Sequence, residues 1–167
     1  KDFKQRMATM VEDPGFKYFV EFIMPGINYD EYKKGLLQLD NKRDFQLKYA
    51  CQYLEQVEAG TTSGITSGGT ENLDANNPYT FVTNHRDIVL DASFINLVLT
   101  RNNFPTTEVA IGNNLLAFEW ISTLVKINKS FIVKRDTTTK GRLAAAIQLS
   151  RYIHFAINQK HDSIWIA

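Results

Sequence analysis

The feature that most constrains the fold is an alternation of short strand-like and longer helix-like segments that begins at Tyr79. The short runs are apolar and rich in β-branched residues, whereas the longer stretches carry apolar residues at helical spacing. This order favours an α/β fold with a largely parallel sheet flanked by helices. The predicted strands are 79–83, 108–111, 131–133 and 163–167, and the predicted helices are 92–99, 115–127 and 138–158.

Residues with catalytic potential follow two of the predicted strands. His85 comes directly after the first strand, Asp87 and Asp91 follow it closely, and Arg135 comes after the third strand. In parallel α/β sheets the loops at the carboxyl ends of the strands form the ligand site. A carboxylate bonded to one imidazole nitrogen fixes the tautomer and makes the other nitrogen a better proton acceptor. These residues therefore indicate an acid/base pair, although a histidine that only holds its turn together would show the same pattern.

A change in composition near Gly60 predicts two parts of the chain. We expect residues 1–59 to form an N-terminal helical extension and residues 60–167 to form the α/β domain. Residues 60–70 are rich in Gly, Ser and Thr, which suits a linker, although their β-branched members would equally suit an edge strand. They lack the spacing of a phosphate-binding glycine loop, so we assign them no catalytic role.

The first part of the chain has a helical pattern. Leu47, Cys51 and Leu54 recur at helical spacing and predict a buried stripe, on which Cys51 is a small core residue and not a nucleophile. Upstream, the pairs Pro14-Gly15 and Pro25-Gly26 separate short helices. The aromatic cluster within 16–24 suits either contact with lipid or acyl chains or packing of a helix on the main domain.

Charge and residue counts argue against several functional classes. Nineteen Lys and Arg against eighteen Asp and Glu give a net charge of +1, so no global field favours nucleic acid. The single cysteine excludes an internal disulfide, and His85, His154 and His161 lack the spacing of metal ligands. No apolar run approaches the roughly 20 residues that a membrane span needs.

Two sequence blocks carry a family resemblance. The run 83–91, Thr-Asn-His-Arg-Asp-Ile-Val-Leu-Asp, is followed about 40 residues later by the run 130–135, Ser-Phe-Ile-Val-Lys-Arg. In order, spacing and place in the β-α repeat they resemble the first two motifs of the glycerolipid acyltransferase superfamily, which includes glycerol-3-phosphate and 1-acylglycerol-3-phosphate acyltransferases. The resemblance covers roughly Leu73 to Ala167. It implies direct transfer of a fatty acyl group from acyl-CoA or acyl carrier protein to a glycerol-phosphate or lysophospholipid hydroxyl, without a cofactor.

The resemblance also implies roles for individual residues. His85 is the expected general base and Asp91 its expected partner, with Asp87 as the alternative. Arg135 matches the phosphate-binding arginine of the family, and we expect Lys134 and Arg86 to assist it.

The sequence departs from the family pattern in three places. Five residues separate His85 from Asp91, where the family has four, so Asp91 reaches His85 only if the loop bulges. Lys129 stands where a glycine is common. The family's Glu-Gly-Thr-Arg motif is expected directly after the strand 163–167, where the sequence stops, so we expect the C-terminal part of the domain to be missing.

The resemblance implies a protein of phospholipid biosynthesis that works in the cytoplasm, peripheral to the inner face of the membrane. Nucleic acid is not an expected partner. Two other functions stay open for the same site: a non-catalytic module that binds lipid or an acyl carrier, and a thioester hydrolase in which His85 activates water.

Overall fold

A computed structural model describes residues 3–135 and 138–167 of the chain, apart from the side chains of Thr139 and Lys140. The chain forms two compact units, of which the first comprises Lys1–Ala50 and Leu115–Ser130, and the second Cys51–Asn114 and Phe131–Ala167. Each unit is a set of residues that pack mainly with one another. The expected division into residues 1–59 and 60–167 stays a prediction.

The first unit is helical. Its core is built from buried side chains of several helices, among them Met10, Phe16, Leu36 and Ile127. Its helices are α1 (Phe3–Val11), α2 (Pro14–Ile23), α3 (Tyr29–Leu37), α4 (Lys42–Phe45) and α7 (Glu119–Ile127).

The Pro-Gly pairs delimit α2 as the sequence predicts. Pro14 stands in the first turn, where its missing N–H costs nothing, and the Asp13 carboxylate accepts a 2.8 Å hydrogen bond from the N–H of Gly15. Gly26 follows the helix with φ of 85°, in the left-handed region that glycine adopts most easily.

Two details of the predicted helices are wrong. Gln46–Ala50 form a π-helical turn. Its hydrogen bonds span five residues where an α-helix spans four, so the side chains in this turn are rotated relative to the expected stripe. Leu47, which was expected on the buried stripe, is 38% exposed, and its neighbour Gln46 is buried at 4% exposure. The helix expected over 115–127 begins only at Glu119, because a short 3₁₀ turn, Asn113–Leu115, comes first.

The second unit contains the sheet and confirms the predicted α/β fold. Its strands lie in the order β1-β4-β2-β3, and β4 pairs in parallel with both β1 and β2. The elements are α5 (Cys51–Thr61), β1 (Thr80–Val82), α6 (Leu90–Arg101), β2 (Glu108–Gly112), β3 (Ser130–Val133), α8 (Thr139–Asn158) and β4 (Ile164–Ile166).

Helices cover both faces of the sheet. Trp165 packs with Ala92 of α6, whereas its strand neighbour Ile164 packs with Ala156 of α8, as alternation along a strand requires. Cys51 of α5 packs on Leu97 of α6 and is buried, which confirms its predicted place in the core. Burial raises the pKa of the Cys51 thiol.

The segment between α5 and β1 contains no strand. Apart from a 3₁₀ turn at Thr70–Asn72 it is irregular, and Gly64 and Gly69 adopt positive φ. Of the two interpretations left open for residues 60–70, the structure favours a connecting segment over an edge strand.

An ionic cluster around the buried Glu108 lies at the amino-terminal edge of the sheet. Glu108, the first residue of β2, accepts hydrogen bonds from the Tyr152 hydroxyl and the Lys160 ammonium group. Burial, reinforced by Glu108, raises the pKa of Tyr152 to about 12. This cluster lies at the opposite end of the strands from His85 and joins β2 to α8 and to the residues that follow it.

Candidate active site

His85 and Asp91 lie in direct contact. β1 ends at Val82, the chain runs through a loop, and α6 begins at Leu90, so that Asp91 stands in the first turn of the helix. Its Oδ2 lies 3.0 Å from Nδ1 of His85. The geometry is that of an imidazole oriented by a carboxylate, with Nε2 as the remaining ring nitrogen.

The loop between them closes around the Asp91 carboxylate. Oδ2 also accepts hydrogen bonds from the backbone N–H groups of Asp87, at 3.0 Å, and Arg86, at 2.6 Å. These two amides, followed by the contact with His85, hold the pKa of Asp91 below its usual range. The residue is thus an anion at neutral pH and can stabilise a protonated imidazole.

Asp87 does not contact His85 and has a different role. Its Oδ1 accepts hydrogen bonds from the backbone N–H groups of Val89, at 2.8 Å, and Leu90, at 2.7 Å. Asp87 therefore caps the turn that begins α6. Of the two carboxylates that the sequence offered as partners, the structure brings Asp91 to the histidine.

One contact of His85 was missed by the sequence analysis. The ring centroids of His85 and Trp165 are 6.1 Å apart, with an interplanar angle of 64°. Trp165 lies on β4, which pairs with β1. Because Trp165 is far from His85 in the sequence, no local pattern predicts this contact. The imidazole, whose side chain is 48% exposed, therefore rests between Asp91 and a buried indole.

Arg135 is exposed at the carboxyl end of β3. Its backbone N–H donates a 2.9 Å hydrogen bond to the Asn113 side-chain oxygen. A Cβ atom at Gly112 would lie 3.0 Å from Nε of Arg135, so this glycine gives the arginine side chain room to cross the end of β2. Lys134 is also exposed.

The three cationic residues do not all lie beside the histidine. Arg86 is its chain neighbour and is exposed, whereas Arg135 follows β3 at the opposite edge of the sheet from β1. Three strand spacings separate these edges, roughly 14 Å. Arg135 and His85 thus both follow the carboxyl ends of strands, but the strands that carry them are not neighbours in the sheet.

Lys129 stands where the family pattern often has a glycine. It precedes β3 with φ of 55°, in the left-handed region that costs a residue with a Cβ more than it costs glycine. A glycine would therefore adopt this backbone conformation at a lower cost.

An apolar cavity of about 370 Å³ runs along α6. Its walls include Phe94, Ile95 and Val98, which share one face of the helix with Asp91, since their numbers follow i, i+3, i+4, i+7. Val98 lies roughly 10 Å along the helix from Asp91. Ile65, Leu73, Phe81 and Leu99 add to the apolar lining, and the segment before β1 contributes the remaining wall through Ser67, Gly68, Gly69 and Thr70. The volume is in the range of small-molecule sites.

No three His, Cys, Asp or Glu side chains lie close enough to hold a metal ion in the part of the chain that the structure describes. Over the same residues, none of the helices combines the length and the apolar character needed to span a membrane. His154 and His161 are exposed.

Comparison with known proteins finds a matching family model. The model, described as Acyltransferase, matches residues 64–167, a range that contains strands β1 to β4 and both sequence blocks. No curated protein and no solved structure matches the chain.

Proposed function

Because the chain belongs to the glycerolipid acyltransferase family, we propose that it moves a fatty acyl group from a thioester of coenzyme A or acyl carrier protein to a glycerol-phosphate-type hydroxyl. Family membership supports acyltransferase activity in general. The observation that carries the specific proposal is the 3.0 Å contact between Nδ1 of His85 and the Asp91 carboxylate.

In the proposed reaction His85 is the general base. Nε2 takes the proton of the acceptor hydroxyl while the oxygen attacks the thioester carbonyl, because an alcohol is a poor nucleophile at neutral pH. Asp91 holds the tautomer in which Nε2 is unprotonated and stabilises the imidazolium that forms. The tetrahedral intermediate then expels the thiolate, which takes up the proton and leaves as a thiol. The acceptor supplies its own hydroxyl, so no acyl-enzyme intermediate is needed.

The acceptor phosphate is proposed to bind Arg135, assisted by Lys134 and Arg86. A guanidinium group can donate two parallel hydrogen bonds to a phosphate, which fixes orientation as well as position. The three cations stand along the carboxyl edge of the sheet, and all are exposed to an incoming ligand.

The cavity along α6 is proposed to take the acyl chain of the donor. Its apolar walls match a hydrocarbon, and they continue the helix face on which Asp91 stands. We propose that the acyl chain lies in this cavity with its carboxyl end toward the first turn of α6, where Asp91 contacts His85.

Because the proposed acceptor and product are lipids, we propose that the protein works in the cytoplasm, peripheral to the inner face of the membrane. In the first unit, Tyr18 and Phe22 of α2 are 71% and 72% exposed and stack on each other with ring centroids 6.4 Å apart. Exposed aromatic pairs of this kind suit the headgroup region of a bilayer, and we propose that they contact it.

The test is product analysis with the full chain. Acyl-CoA or acyl-carrier-protein thioester is incubated with glycerol 3-phosphate or lysophosphatidate, and thiol, free fatty acid and acylated acceptor are measured. Transfer gives equal amounts of thiol and acylated acceptor, and His85→Ala is expected to abolish it. Thiol with free fatty acid indicates a hydrolase, whereas binding without turnover indicates a non-catalytic module; either result overturns the proposal.

A further inference from the structure

Trp165 lies directly against the proposed base. It is the central residue of β4 and is 3% exposed, packed with Ala92 of α6 and Val109 of β2. Its indole and the His85 imidazole meet edge to face, with centroids 6.1 Å apart and planes inclined at 64°. This separation and angle are in the range of favourable aromatic pairs.

Thr83 fixes the indole in place. The Trp165 Nε1–H donates a 3.1 Å hydrogen bond to Thr83 Oγ1. The backbone N–H of Thr83 in turn donates a 3.3 Å hydrogen bond to the carbonyl oxygen of Ile166. Thr83 is therefore tied to β4 through both its main chain and its side chain, just before the loop that carries His85.

The orientation of an imidazole that acts as a general base must be fixed by more than one contact. The hydrogen bond to Asp91 fixes Nδ1, but a ring held at one atom can still swing about that contact. With a side chain that is 48% exposed, His85 has little packing to prevent this motion. The indole edge supplies a second contact on a rigid strand. Because proton transfer depends on the direction of Nε2, a small change of ring orientation lowers the rate.

We propose that Trp165 and Thr83 are positioning residues of the acid/base site, in which the hydrogen-bonded indole holds the His85 imidazole with Nε2 directed at the acceptor hydroxyl. The inference rests on the proposed acyl transfer and adds two residues that act through His85 without touching substrate.

The kinetic test removes the hydrogen bond between Trp165 and Thr83, once by changing the acceptor and once by changing the donor. Thr83→Val and Trp165→Phe are each expected to lower kcat about ten-fold while KM for donor and acceptor stays within about two-fold, because ring orientation and not binding is disturbed. Thr83→Ser keeps the acceptor oxygen and is expected to restore kcat. The double variant is expected to be no slower than either single variant, since both changes break the same bond.

Thr107→Val is the matched control. Thr107 is buried, whereas Thr83 is half-buried, so the control is the more demanding of the two changes. The Thr107 hydroxyl donates to the Asn96 side-chain oxygen at 3.2 Å, and the residue lies at the amino-terminal edge of the sheet, away from His85. This variant loses a buried threonine hydrogen bond without touching the indole, so its kcat is expected to change less than two-fold. If Thr83→Val does not fold, Trp165→Phe is compared with the control in its place.

A spectroscopic measurement separates failure of this inference from failure of the proposed function. In the full chain labelled at histidine, the His85 ring signals, assigned with His85→Gln, are expected to shift in Thr83→Val and Trp165→Phe but not in Thr107→Val. Unshifted signals, or equal kcat values for Thr83→Val and Thr107→Val, overturn the positioning role. Absence of acyl transfer by the unmodified chain overturns the proposed function instead, and the ring signals still report whether the indole orients the imidazole.

Discussion

Asp91 reaches Nδ1 of His85 although five residues lie between them, because the intervening loop folds around the carboxylate. Two backbone amides in that loop, from Arg86 and Asp87, converge on the same oxygen that the imidazole contacts. One side chain thereby orients the proposed base and shapes the loop that carries it. The longer spacing relative to the family pattern is accommodated without loss of the contact.

The phosphate role of Arg135 predicts a selective effect on the acceptor. Arg135→Ala is expected to raise KM for glycerol 3-phosphate or lysophosphatidate at least ten-fold and to leave KM for the acyl donor nearly unchanged. Arg135→Lys is expected to recover only part of the loss, because an ammonium group cannot form the paired hydrogen bonds of a guanidinium. Steady-state kinetics check this, with Arg151→Ala on the exposed surface of α8 as control. Equal effects on both substrates would refute the assignment.

The cavity along α6 predicts control of acyl length. Val98→Phe adds volume at the wall about 10 Å from Asp91, so the preferred donor is expected to become shorter while short-chain turnover is retained. Rates with a series of saturated acyl thioesters measure the shift. Ile147→Phe, a matched change at an exposed position of α8, is expected to leave the length profile unchanged. An identical profile for Val98→Phe and the unmodified chain would exclude this cavity as the acyl site.

Lys129 predicts a stabilising substitution. Its φ of 55° is strained for a residue with a Cβ, so Lys129→Gly is expected to raise the free energy of unfolding by about 0.5–1 kcal/mol. Denaturant unfolding measures the change. Lys126→Gly, within α7, is expected to lower the same free energy by about 1 kcal/mol, because glycine is unfavourable inside a helix. A loss of stability in both variants would contradict the strain argument.

The exposed aromatic pair of α2 predicts membrane contact. The double change Tyr18→Ser with Phe22→Ser is expected to weaken binding to phospholipid vesicles at least five-fold, while transfer to water-soluble glycerol 3-phosphate persists. Vesicle sedimentation measures the binding. Phe155→Ser, at a half-exposed aromatic residue of α8, is the control. Unchanged vesicle binding by the double variant would show that α2 is not the contact.

Local patterns in the sequence predicted much of the second unit. Strand runs and helical spacing predicted β1 to β4, α6 and α8 to within a few residues, because these features depend on neighbouring residues. The exposure of Leu47 was not predictable, because one π-helical turn rotates the side chains around the helix axis and leaves no mark in the apolar pattern.

The site was predictable only in part for a related reason. His85 and its two neighbouring carboxylates were visible in the sequence, but the choice of Asp91 depends on where the amides of the loop point. The contact with Trp165 depends on the pairing of β4 with β1, two strands that lie far apart in the sequence. Strand order of this kind is decided by the packing of the whole sheet.

The most direct test of the account compares Asp91→Asn with Asp87→Asn in acyl transfer to glycerol 3-phosphate at pH 7. Asp91→Asn removes the charge that fixes the tautomer of His85 and is expected to lower kcat on the order of 10²- to 10⁴-fold. Asp87→Asn retains an acceptor oxygen for the turn before α6 and is expected to lower kcat less than ten-fold. A large loss in Asp87→Asn with near-normal turnover in Asp91→Asn would contradict the proposed acid/base pair.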